Sequence, residues 1–134
     1  MPLNGALATI TKETFDLKLK AAKKKLFVDT AFWGGLTQDN VLLSEDGANV
    51  EDLKMLLSSG VAGVKSFLNE AGFGFTFVKR EHIEAALPVL EGFEVPLLVK
   101  KIYDCKIIKE NIQSTKLIHV LVSFLRESDL YSQQ

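Results

Sequence analysis

Lys65 stands in the middle of the apolar run GVAGVKSFL, residues 60–68. A lysine there admits two readings. It can lie near a strand end and carry its ammonium out to water along its own apolar stem. Alternatively, it can sit toward the C-terminal end of a parallel strand, where barrel enzymes place their chemistry. Burial depresses a lysine's pKa and makes its amine nucleophilic. Such an amine can take up carbon dioxide. The carbamate that forms is an anionic oxygen ligand, suited to bridging two hard or borderline metal ions. Other candidates for chemistry are sparse. His82 and His119 fall on separate predicted helices, and neither belongs to an H-x-H or H-E-x-x-H pattern. Ser58, Ser59 and the single Cys105 have no histidine nearby in sequence to activate them. The glycines of "GGL" and "AGFGF" match neither G-x-G-x-x-G nor a Walker loop, so nucleotide binding has no support.

The totals describe an ordinary globular chain. It has 134 residues, 47% hydrophobic and 25% charged, with a net charge of −1. One domain is the natural expectation. The charge balance does not draw the chain toward nucleic acid or an anionic membrane. Its most apolar run, Leu117 to Leu125, is interrupted by His119 and Ser123. That run falls short of the roughly 18 residues a membrane helix needs. The opening "MPLNGALATI" lacks the pattern of a signal peptide. A lone cysteine fits a reducing, cytoplasmic setting.

Three helices and three strands alternate along the chain. Thr11 caps the first helix, with Glu13 in its first turn and Phe15, Leu19, Ala22 and Leu26 as its apolar stripe. Lys18, Lys20 and Lys23 to Lys25 surround that stripe as a solvated face. "KLFVDTAFWGG" is β-branched and aromatic and reads as a strand stopped by Gly34-Gly35. A polar segment with an Asp46-Gly47 turn signal follows. Asn49 caps the second helix, Asp52 mimics a capping box, and Val50, Leu53, Leu56 and Leu57 form its stripe. Gly60 closes it. "VAGVKSFL" is the second strand, and "NEAGFGFTF" is a loop. The third helix runs from about Lys79 to Leu90, and Pro88 bends or shortens its end. "FEVPLLVKKI" is the third strand. This order, with strands that are apolar runs, predicts a parallel α/β sheet. Periodicity does not separate a doubly wound sheet from part of a barrel. In the tail, Ser114 or Thr115 caps a helix that puts Leu117, Leu121 and Phe124 on one face.

Several strings carry a resemblance to a known family. "MPLN" and "TITKETFDLKLKAAKKKLFVDTAFWGGL" resemble allantoinase, a cyclic amidohydrolase related to dihydroorotase and dihydropyrimidinase. So do "LLSSGVAGVKSFLNEAGFGF" and "EHIEAALPVLEGFEVPLLV". The resemblance runs from Met1 to about Val99, and "DTAFWGG" and "GVAGVKSFL" are its specific parts. It implies a (β/α)8 barrel in which Lys65 is carbamylated and bridges two zinc ions. It implies metal-assisted hydrolysis of the ring amide of allantoin to allantoate, a step of purine catabolism. Asn4 lies in the "MPLN" stretch, where the resemblance implies a substrate-side role.

The departures from the family pattern are equally specific. Its H-x-H pair belongs upstream of "MPLN". After "PLLV" it continues with a ligand histidine, as in "HAE", where this chain has Lys100 and Lys101. A complete barrel takes about 250 residues. The expectation is therefore a partial barrel over residues 1–99, with about three parallel strands, and an unmatched helical tail over residues 100–134. Of the family's metal ligands only Lys65 is expected here, partly exposed on the concave face of an open sheet. The chain alone is expected to bind no zinc and to be inactive. The competing expectations are a non-enzymatic interaction module, self-associating through the open sheet, and a non-functional truncated product. Relatives called collapsin response mediator proteins keep the barrel without the metal ligands. A flavodoxin-like or Rossmann-like domain would also fit the element order, but it explains none of the strings.

Overall fold

The computed structural model describes residues 5, 7–71, 75–101 and 121–124. The elements are α1 (Lys12–Ala22), β1 (Gly34–Gly35), β2 (Leu42–Ser44), β3 (Gly47–Asn49), α2 (Glu51–Ser58), β4 (Val64–Phe67), α3 (Arg80–Gly92), β5 (Leu97–Lys101) and β6 (Leu121–Phe124). β1, β4, β5 and β6 form one parallel sheet whose strands lie in chain order. β2 and β3 form a separate antiparallel hairpin on the surface.

Parity along the strands decides what each face does. Val64 of β4 and Leu97 and Val99 of β5 pack with Leu53, Leu56 and Leu57 of α2 and with Ala86 and Leu90 of α3. Both helices thus cover one face. The intervening residues, Lys65, Phe67, Leu98 and Lys100, belong to the other face. A sheet that adds strands in chain order, with its crossover helices on one side, is singly wound. That choice was open from periodicity alone.

The Thr11 and Gly60 signals act as the sequence implies, whereas Asn49 and Pro88 do not. Thr11 Oγ1 accepts the Thr14 backbone N–H, and Thr14 Oγ1 accepts that of Thr11 in return. Asn49 does not occupy the cap position of α2, which falls on Val50, but its Oδ1 accepts the Glu51 N–H at 3.0 Å. Gly60 follows α2 at φ +95°, the left-handed conformation that favours glycine. Pro88 does not end α3, which continues to Gly92.

Four expectations are corrected. "KLFVDTAFWGG" is not a strand throughout. Its ladder runs only from Phe32, whose carbonyl accepts Ala62 N–H, to Leu36, whose N–H bonds the Lys65 carbonyl. Leu26 to Thr30 are exposed, and Phe27 is fully so, because the upstream half of the segment has no strand beside it among the described residues. Second, the stripe of α1 stops early. The helix ends at Ala22, Lys24 turns at φ 63°, and Leu26 lies beyond it. Third, the polar segment around Asp46-Gly47 is a full hairpin, with Glu45 and Asp46 as its turn. Its strands were hidden because their residues are exposed rather than alternating. Fourth, Leu121 and Phe124 do not share a helix face. They lie in β6, in parallel register with β5. A short apolar run such as "LVSF" fits a helix or a strand equally well by periodicity. The remainder of the predicted tail helix lies outside the described residues.

Candidate functional site

Lys65 is fixed by pairing on both sides. Gly35 of β1 and Leu98 of β5 are its partners in register. Its carbonyl accepts the Leu36 N–H at 2.9 Å. It is only 7% exposed, which corrects the expectation that it would be partly open to solvent. Burial has a local cause. After β4 the chain returns, with Val78 N–H bonding the Phe67 carbonyl, and brings Phe75 against Phe67 at 5.1 Å between ring centroids, edge to face. Gly35 has no side chain to obstruct this. A Cβ there would lie 2.6 Å from the Phe75 ring and 2.8 Å from Ile10 Cγ2. Phe75, in a segment read as a plain connection, thus lies against Phe67 and Gly35, the two residues beside Lys65 on this face.

The Lys65 ammonium lies 4.7 Å from the centroid of the Phe67 ring, within cation–π range. Burial pushes its pKa below the ordinary lysine value, and the nearby Lys100 adds to that effect. Lys100 is half-buried and pairs in register with Phe67, two residues along from Leu98. It is thus the diagonal neighbour of Lys65 on the same face. Among the described residues no carboxylate is paired with either lysine.

A polar cluster that sequence reasoning missed braces the loop after β1. Asn40 is buried. Its Oδ1 accepts Thr37 N–H at 3.0 Å, and its Nδ2 donates to the Ile10 and Gly35 carbonyls at 2.8 Å each. Gly35 N–H bonds the Thr9 carbonyl at 2.7 Å. Gln38 reaches the returning loop, donating from Nε2 to the Phe77 carbonyl at 2.7 Å and from its backbone N–H to Thr76 Oγ1 at 3.1 Å. Thr76 in turn donates to Asp39 at 2.8 Å. The loops after β1 and β4 are thereby tied together at the C-terminal end of the sheet. An Asn three residues after a Thr is too common a pattern to have signalled this.

The remaining candidates are structural or lie elsewhere. His82 is buried in the first turn of α3, where Nδ1 accepts the Lys79 N–H at 3.3 Å, and burial lowers its pKa. Among the described residues no three His, Cys, Asp or Glu side chains gather as ligands. No helix among them is long and apolar enough to cross a membrane. Asn4, Cys105 and His119 lie outside the described residues.

Comparison with known proteins bears on this geometry. No family model matches the chain. An allantoinase of Arabidopsis thaliana is 43% identical over 100 residues, 74% of this chain and 19% of that protein. An allantoinase of Saccharomyces cerevisiae is 40% identical over 91 residues, 67% of this chain and 18% of its own length. A mitochondrial allantoinase of Aquarana catesbeiana is 37% identical over 99 residues, 73% and 19% respectively. The chain thus spans about a fifth of the length of these curated relatives. By this similarity the chain is a relative of the allantoinases over about three quarters of its own length.

Proposed function

We propose that the chain is an allantoinase-like amidohydrolase segment by descent, and that it does not hydrolyse allantoin by itself. In this reading its sheet is an arc of a (β/α)8 barrel, with the Lys65 face directed inward. The family chemistry would be hydrolysis of the ring amide of allantoin to allantoate. The observation that carries the reading is the setting of Lys65. It is a buried lysine in mid-strand, on the face away from the helices, within the string most specific to the resemblance.

The family would supply a pair of zinc ions bridged by a carbamylated Lys65. The donor set here does not fit that pair. Among the described residues the other charged group acting on Lys65 is a cation, Lys100, and no cluster of ligand side chains faces it. The proposal is therefore descent without a metal centre, in a cytoplasmic setting. It is tested on the purified chain by metal analysis and by an assay for allantoate. The expected result is no retained zinc and no allantoate above the uncatalysed rate. A stoichiometric metal with measurable allantoate release would overturn it.

A second reading, a non-enzymatic interaction module, has one specific observation in its favour. An open cleft of about 640 Å³ is lined by Leu19, Lys20, Lys23, Lys24, Leu26 and Phe32. Beside it stand the exposed Phe27 and Val28. Exposed apolar groups of this kind mark contact surfaces. Size-exclusion chromatography of wild type against Phe27→Ser separates the readings. Self-association that the substitution abolishes favours the module, and a monomer in both cases removes its support.

A further inference from the structure

Lys65 and Lys100 form a like-charged pair on one face of the sheet, and one member is buried. A buried charge without a counter-charge is costly unless something compensates it. The Phe67 ring under the Lys65 ammonium does so only in part, since a cation–π contact contributes less than a full ion pair. Among the described residues no carboxylate pairs with either lysine. Lys100 is half-buried, so this end of the face is open to solvent. The arrangement is unsuited to a divalent cation and suited to an anion able to accept hydrogen bonds from two ammonium groups at once.

We propose that the Lys65–Lys100 face is a binding site for a small oxyanion, a carboxylate or a phosphate, in place of the metal pair implied by the family. The anion enters from the Lys100 side and bridges the two ammonium groups, with Phe67 and Phe75 walling its apolar flank. Register holds the lysines together. Lys65 pairs with Leu98 and Phe67 pairs with Lys100, so the two strands would have to slip to separate them. The proposal does not rest on the allantoinase descent, because it uses only the charge, burial and pairing of these side chains.

The test is titration of the full chain with inorganic phosphate and, separately, with acetate, at matched ionic strength, followed by calorimetry and thermal unfolding. One anion per chain is expected, with a saturable rise in Tm. The tighter of the two arms identifies the anion class. Lys100→Met, at a half-exposed position that should fold, is expected to weaken binding at least about ten-fold. Lys65→Met should do the same. Lys20→Met, in the separate lysine cluster of α1, should leave it unchanged. Binding that survives Lys100→Met, that is lost equally in Lys20→Met, or that is absent in both arms would overturn the proposal. Zinc retained by the wild-type chain and displaced by neither anion would also overturn it. Failure of the anion arms alone leaves the allantoinase descent intact, so the two ideas fail separately.

Discussion

Asn40→Ala should be among the most damaging single changes outside the apolar core. The side chain is buried and satisfies three backbone groups: Thr37 N–H, Ile10 C=O and Gly35 C=O. Alanine leaves one donor and two acceptors without that partner. An unsatisfied buried group costs about 1–3 kcal/mol, and a carbonyl that keeps another partner loses less. Allowing for partial relaxation, the loss should be roughly 3–4 kcal/mol. That is a large share of the roughly 5–15 kcal/mol typical of a domain. Asn40→Asp is the sharper variant. It keeps the acceptor for Thr37 N–H but directs a carboxylate oxygen, not an amide N–H, at two carbonyls. At neutral pH it should be at least as destabilising as alanine. Its folded pKa would be raised, so its deficit should shrink as pH falls and the carboxyl gains a proton to donate. Urea unfolding followed by far-UV circular dichroism and by the fluorescence of Trp33, the single tryptophan, measures both variants. A loss under about 1 kcal/mol for Asn40→Ala, or wild-type stability for Asn40→Asp at neutral pH, would refute the bracing role.

Other substitutions probe separate parts of the argument. Gly63→Ala would set a Cβ 2.8 Å from the Pro96 carbonyl oxygen and 2.8 Å from Trp33, so it should cost about 1–3 kcal/mol by denaturant unfolding. Ser66 is fully buried with a hydroxyl that has no partner among the described residues, so Ser66→Ala should leave stability unchanged or raise it by up to about 1 kcal/mol. His82 has a pKa lowered by burial, and its neutral Nδ1 accepts a backbone N–H. Its contribution is present above the ordinary histidine pKa and is lost as pH falls through the lower folded value. Stability of His82→Gln should therefore be flatter than wild type across the acid side of neutrality, measured by Tm against pH. The Lys65 pKa is lowered too, first by burial and then by Lys100. The unfolded chain then holds this proton more tightly, so wild type should gain stability as pH rises toward the ordinary lysine range, and Lys65→Met should not show that gain.

What could be read in advance followed from local rules. Thr11 and Gly60 act through backbone chemistry within a turn, and the stripe of α2 through helical spacing, so their roles are visible in sequence. Lys65 on β4 was legible for a similar reason, since a strand of small and β-branched residues announces itself. Its burial was not legible. That depends on Phe75, ten residues later, folding back over a glycine on a different strand. The extent of β1 was overread because propensity scores "KLFVDTAF" as strand, while only Phe32 to Leu36 find partners among the described residues. Asn40 was passed over because its three bonds join segments up to 30 residues apart. A short apolar run such as "LVSF" does not distinguish a strand from a helix, and pairing with β5 decided it.

Lys100 shows why register matters more than composition for the site. In sequence it is merely a lysine where the related enzymes are expected to carry a ligand. Only the pairing of Phe67 with Lys100 places it on the face of Lys65 rather than on the helix side. Had β5 slipped by one residue, Lys100 would turn to the helix side, toward Val64, Leu53 and Leu56, where a charge would be intolerable, and Leu97 and Val99 would leave the core. The apolar pattern of β5 forbids that slip. The same pattern that secures the core therefore commits Lys100 to face Lys65. A second lysine at this position sets the sign of the local charge, and it makes the face electropositive whatever the ancestry of the strand.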